Sequence, residues 1–105
     1  MLEDIYMEWS TLFDTDIIHL GGDELSRECW KDEPSVVSWI ADNVPSNFTE
    51  MDDQLVYLWW NAFEKRAEER MEKHYGESTK VLLWSSGLTK RADIYLNPDK
   101  HIVQV

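Results

Sequence analysis

An α/β fold built around a parallel sheet is what this sequence predicts, and two patterns predict it. Short apolar runs at Ile17-Ile18-His19-Leu20, Val81-Leu82-Leu83-Trp84 and His101-Ile102-Val103-Gln104-Val105 alternate with stretches of helical periodicity. Continuous apolar runs mark strands covered on both faces, and the helices between them supply the covers. A third observation concerns completeness. Three strands do not finish a standard architecture, and the sequence stops inside an apolar run at Val105. Residues 1–105 therefore read as one segment of a larger α/β domain. A (β/α)8 barrel takes about 250 residues, so this piece would supply less than half of one.

The elements follow in order. Leu2, Ile5, Tyr6, Trp9, Leu12 and Phe13 recur at spacings of three and four, the apolar face of a helix over residues 2–13. Asp14-Thr15-Asp16 interrupts that pattern before the first strand. Asp32-Glu33-Pro34 has the acids and proline of a helix start, and Val36, Val37, Ile40 and Ala41 give that short helix its apolar side. Asn43 to Asn47 is a loop. Thr49 is a good N-cap, with Asp52 three residues on. A long helix then runs to about His74, with Leu55, Leu58, Trp59, Ala62, Phe63, Arg66, Ala67 and Met71 on one side. Its Glu64 to Lys73 tract reads as solvated surface, and Gly76 stops it. The second strand follows. Thr89 to Lys100 has room for a short helix and a turn at Asn97-Pro98-Asp99 before the third.

The formal net charge is -11, from 21 acids against 10 Lys plus Arg. With no basic block, nucleic acid and anionic membranes are not expected partners. No apolar run approaches the roughly 20 residues that span a bilayer. Met1-Leu2-Glu3-Asp4 lacks the basic start and apolar stretch of a signal peptide. Cys29 is the only cysteine, so it is either an apolar filler or half of a bond to a residue outside this chain. Asn47-Phe48-Thr49 fits the N-glycosylation pattern, weak evidence for the secretory pathway.

Chemistry concentrates at His19-Leu20-Gly21-Gly22-Asp23-Glu24, where a strand closes on two glycines and two carboxylates. Glycine has no Cβ to clash, so the backbone can turn sharply or lie close to a ligand. Adjacent carboxyls oppose each other's ionisation, which lets one hold a proton while the other stays charged. Glycosidic cleavage needs that division. An equally good account of the residues alone is a pair of acids in the first turn of a helix. In a barrel the active site lies at the C-terminal ends of the strands, which is where Asp23-Glu24 and Trp84-Ser85-Ser86-Gly87 would both fall. Among six tryptophans, Trp9, Trp39 and Trp59 read as core and Trp60 as helix edge. Trp84, at a strand end, is the one placed for a ligand. His19, Asp23, Glu24, His74 and His101 show no metal-ligand spacing, so neither a metal nor another cofactor is expected. Ser85-Ser86-Gly87 lacks the Gly-x-Ser-x-Gly elbow of serine nucleophiles.

His19-Leu20-Gly21-Gly22-Asp23-Glu24-Leu25 with Cys29-Trp30 closely resembles the active-site motif of β-N-acetylhexosaminidases of glycoside hydrolase family 20. The resemblance continues through Val81-Leu82-Leu83-Trp84-Ser85-Ser86-Gly87-Leu88-Thr89, Tyr95-Leu96-Asn97-Pro98 and Ile102-Val103-Gln104-Val105. The serines after Trp84 look more like the arthropod chitin-processing branch than the vertebrate lysosomal one. What the resemblance implies is a (β/α)8 barrel, with this segment at about its fourth to sixth strands. It also implies a retaining, substrate-assisted mechanism in which no enzyme carboxylate is the nucleophile. Glu24 would be the general acid and base, Asp23 would orient the substrate's acetamido group, and Trp84 would wall the sugar pocket. His19, Gly21 and Gly22 would shape the turn, and Cys29 would pair with an upstream cysteine. Substrates would be glycans or chitooligosaccharides ending in N-acetylhexosamine. The full-length protein would be secreted or lysosomal, and a homodimer is open to it. The family's other pocket residues fall outside this chain, and Leu25 stands where valine is commoner. Two rivals remain: a non-catalytic sugar-binding protein on a degenerate barrel, and a small acidic interaction domain in which Asp23-Glu24 merely starts a helix.

Overall fold

A computed structural model of the chain describes residues 1–43, 53–87, 89 and 96–105. In chain order the elements are α1 (Leu2–Leu12), β1 (Ile17–Gly21), α2 (Arg27–Asp32), α3 (Pro34–Asn43), α4 (Asp53–Tyr75), β2 (Lys80–Trp84) and β3 (His101–Gln104). The strands form one parallel sheet in the order β1-β2-β3. The α/β class and the parallel sheet expected from the apolar runs are what the chain adopts.

Local chemistry sets the ends of these elements. Thr15 Oγ1 accepts the Ile17 N–H at 3.2 Å, a side-chain turn that ends the link into β1. Gly76 takes φ +96 after α4, and its N–H donates to the Glu72 carbonyl at 2.8 Å. That left-handed cap favours glycine. The turn before β3 forms where Asn97-Pro98-Asp99 predicts it, with the Lys100 and His101 N–H groups donating to the Asn97 carbonyl. Asn43, expected to open the loop over residues 43–47, instead ends α3, while residues 44–47, the Thr49 cap, Asp52 and residues 90–95 of the Thr89–Lys100 connection lie outside the described residues.

Ile18, Val81 and Leu83 project from the sheet into a core closed by α4, whose Met71 is fully buried. The sheet-facing stripe of α4 is Tyr57, Trp60, Glu64, Ala67 and Met71, at alternating spacings of three and four. Trp59, on the neighbouring arc, stacks on Trp30 of α2 with ring centroids 6.4 Å apart. α4 is thus buried on two sides, which corrects two expectations. Trp60 is 2% exposed rather than at the helix edge, and Glu64 is 7% exposed rather than part of a solvated tract. Trp9 also departs from expectation. It is exposed with Leu12 and Phe13, because α1 packs mainly on α4 and buries only Tyr6 fully. No helix among the described residues is long and apolar enough to cross a membrane.

Candidate active site

The carboxylate pair stands where the sheet ends. β1 carries an irregularity between His19 and Gly21, so that His19 pairs with Leu82 but Gly21 with Leu83. An extra residue of this kind re-aims the chain as it leaves a sheet. Gly21 and Gly22 both then take φ +82, a left-handed conformation costly to residues with a Cβ. Asp23 and Glu24 follow outside any helix or strand and are exposed. Neither carboxylate has a hydrogen-bond or ion-pair partner among the described residues, so the backbone of the turn places them. They do not start a helix. α2 begins at Arg27, with Ser26 at its N-cap and Glu28 as the acid of its first turn.

Because the sheet is parallel, the ends of β1, β2 and β3 open on one edge. Trp84 closes β2 there, opposite Gln104 of β3, and the Ser85 N–H donates to the Gln104 carbonyl at 2.7 Å. His19 reaches Trp84 across the strands: their ring centroids lie 4.6 Å apart, tilted by 48°. The other function of His19 is local, its Nδ1 accepting the Gly21 N–H at 2.9 Å. One imidazole therefore ties the glycine turn to the tryptophan. Both rings lie on the sheet face opposite α4, since Val81 and Leu83 take the alternate positions.

Cys29 and Trp30 do not join this group. They ride on α2, where Cys29 is exposed and Trp30 packs in the core against Trp59. Asn47 lies outside the described residues.

Two residues that the sequence reading passed over sit directly beneath the turn. Trp60 Nε1–H donates to the Gly22 carbonyl at 3.0 Å. A Cβ on Gly22 would lie 3.1 Å from Glu64 Oε1 and 3.2 Å from Trp60 Cζ2, so any side chain there would crowd both residues as well as strain the φ. Around Gly21 that space is open. The signal for Glu64 was its place on the stripe with Trp60, Ala67 and Met71, which its charge concealed.

Burial, with the Glu68 carboxylate adding to it and His101 opposing it, pushes the Glu64 carboxyl up to about 7. Glu68 itself is raised by burial, but His101 and Lys100 outweigh that and hold it below the usual range. The His101 Nε2 to Glu68 Oε2 contact is 3.0 Å, and Lys100 pairs with both Glu68 and Glu72. These bridges fasten β3 to α4 on the far side of the sheet from the Trp84 ring.

The direction of the Glu64 shift fixes a stability effect. An acid whose folded pKa is raised binds its proton more tightly when folded, so it destabilises as pH rises from about 4.5 to about 7. Above that range the penalty is constant. Glu64→Gln keeps the shape and removes it, a gain of up to about 3 kcal/mol at pH 8. The expected result, in the full-length protein, is a higher thermal midpoint than wild type at pH 8 and coincident midpoints near pH 4.

Comparison with known proteins identifies the family. The family model described as glycosyl hydrolase family 20, catalytic domain, matches residues 1–105. A chitooligosaccharidolytic β-N-acetylglucosaminidase of Ostrinia furnacalis is 38% identical over 107 residues, and one of Bombyx mori is 35% identical. Each alignment covers 99% of this chain and 17% of the relative. A β-hexosaminidase subunit B2 of Dictyostelium discoideum is 24% identical over 91% of the chain and 16% of its own length. The chain thus spans 17% of the length of the two more similar relatives. With the family model covering it from end to end, the chain belongs to glycosyl hydrolase family 20 and carries part of its catalytic domain.

Proposed function

We propose that the full-length protein removes terminal, non-reducing β-linked N-acetylhexosamine from chitooligosaccharides or glycans, with retention of configuration. The observation that carries this reading is the Asp23-Glu24 pair, held out on a double-glycine turn at the sheet edge that Trp84 shares. Its setting in a chain of this family supports it, as do relatives named for chitooligosaccharide cleavage.

In the first step the protonated Glu24 gives its proton to the glycosidic oxygen as the bond to the anomeric carbon breaks. The sugar's own acetamido oxygen attacks that carbon from the other face and closes an oxazolinium ring. Asp23, ionised, accepts the acetamido N–H and balances the positive charge. Glu24, now a carboxylate, takes a proton from water, which attacks the anomeric carbon and reopens the ring. One carboxyl must be protonated and the other charged in that first step, which is the pattern of paired acid and base sites. Trp84 supplies a flat wall for the sugar and its acetyl group, steadied from behind by His19.

The segment belongs, in this reading, at about the fourth to sixth strands of a (β/α)8 barrel. Exposed apolar side chains support that place: Trp9, Leu12 and Phe13 on α1, and Ile17, Ile102 and Val103 on the sheet. In a closed barrel these are the positions that neighbouring strands and helices cover. Residues 1–105 alone lack those covers. We expect the purified 105-residue chain to release no chromogenic leaving group from an aryl N-acetyl-β-glucosaminide, whereas the full-length protein does. Release by the short chain would overturn the requirement for the rest of the barrel. Failure of the full-length protein would overturn the activity. Secretory or lysosomal location, a Cys29 disulfide to an upstream residue and glycosylation at Asn47 are parts of the same proposal.

A further inference from the structure

We propose that Trp60 and Glu64 of α4 are positioning residues for the reaction, bracing the Gly22–Asp23 peptide so that the two acids leave the sheet in a fixed direction. This rests on the assignment of Asp23 and Glu24 as the catalytic pair.

The carbonyl that Trp60 holds belongs to the peptide bond joining Gly22 to Asp23. Fixing it at 3.0 Å fixes the plane from which the Asp23 backbone departs. That restraint matters because Asp23 and Glu24 have no side-chain partner of their own among the described residues. Gly22, at φ +82, sits in a backbone region where glycine moves freely, so that residue, beyond the Gly21 N–H that His19 holds, has no stiffness of its own. Its stiffness comes from below. Trp60 is 2% exposed, locked in the core, and Glu64 lies one helical turn further on, its Oε1 against the same glycine.

Glu64 carries a second mark of function. It is nearly buried, and its Oε2 has no hydrogen-bond partner. Burying a carboxyl without a partner destabilises a fold, and a residue selected for packing alone would not be an acid. Groups acting on it are Glu68 on its own helix and His101 of β3, and Glu64 acts in turn on Tyr6 of α1, whose hydroxyl burial and Glu64 together push up. Lys100, just before β3, pairs with Glu68 and Glu72. Sites whose geometry serves catalysis are often held at the expense of stability. A brace that weakens the fold while holding the reacting groups fits that pattern.

The test is kinetic and uses the full-length protein with an aryl N-acetyl-β-glucosaminide. Trp60→Phe keeps the ring and removes only the N–H that holds Gly22. Its expected effect is a fall in kcat of about tenfold with KM within twofold, because misplacing a catalytic group acts on the transition state more than on binding. Glu64→Gln is the second arm, should the first variant fail to fold. It is expected to raise the thermal midpoint at pH 8 and still lower kcat severalfold, opposite signs that a merely structural residue would not give. Wild-type kcat in a folded Trp60→Phe protein, or in Glu64→Gln, overturns the brace. Glu24→Gln serves as the reference. If that variant keeps wild-type turnover, the assignment of the catalytic pair fails instead.

Discussion

Glu24→Gln in the full-length protein is expected to lower kcat by roughly 10³- to 10⁴-fold while leaving KM within a few fold. General acid–base groups contribute about 10²–10⁴-fold to the steps they serve. On the proposed assignment Glu24 serves two, giving a proton to the leaving oxygen and then taking one from water, so the loss should lie at the upper end. The amide fills the same space at the end of the turn and can do neither. KM should hold because the amide matches the carboxyl in size at an exposed position. Steady-state kinetics on the purified variant, with circular dichroism to confirm folding, gives the answer. A non-catalytic sugar-binding barrel predicts no turnover in either protein. An acidic domain in which the pair merely starts a helix predicts no change, and α2 already begins beyond both acids, at Arg27.

Trp84→Ala is the second large effect, expected at about 100-fold in kcat/KM. Trp84 would hold the acetamido group that is itself the nucleophile in the proposed reaction, so its ring would orient a reacting atom as well as bind a sugar. Loss of such orientation costs on the order of 10²-fold. The alanine also leaves His19 without the ring it meets at 4.6 Å, loosening the turn through the Gly21 N–H that His19 holds. Trp84→Phe keeps a flat wall and should fall between the two. Equal kcat/KM for tryptophan and alanine would remove Trp84 from the sugar pocket.

Much of this architecture is legible in the residues. The strands are continuous apolar runs, and such runs have few other ways to be buried. The turn after β1 is legible in its two glycines, whereas the acids beyond them suit a helix start equally well until the family resemblance is added. Both glycines indeed take φ +82. What stays hidden is the support under that turn. Trp60 and Glu64 lie on a stripe with Tyr57, Ala67 and Met71, yet a charge in the middle of a stripe looks like solvent-facing surface. Only the approach of α4 to Gly22 shows otherwise. α2 escapes notice for a related reason, since six residues bearing Glu28, Lys31 and Asp32 carry too little periodicity to declare a helix. On α1 the error runs the other way. Its apolar face is real, but packing mainly on α4 buries only Tyr6 fully.

The account turns on Glu24 as the proton donor to the leaving group, and one measurement reaches that directly. In the Glu24→Gln protein, kcat/KM is measured across aryl N-acetyl-β-glucosaminides whose phenols range from weakly to strongly acidic. Acidic phenols depart without protonation, so the deficit relative to wild type should shrink steadily toward them and be largest for the least acidic phenol. A deficit of the same size for every leaving group would contradict the assignment of Glu24.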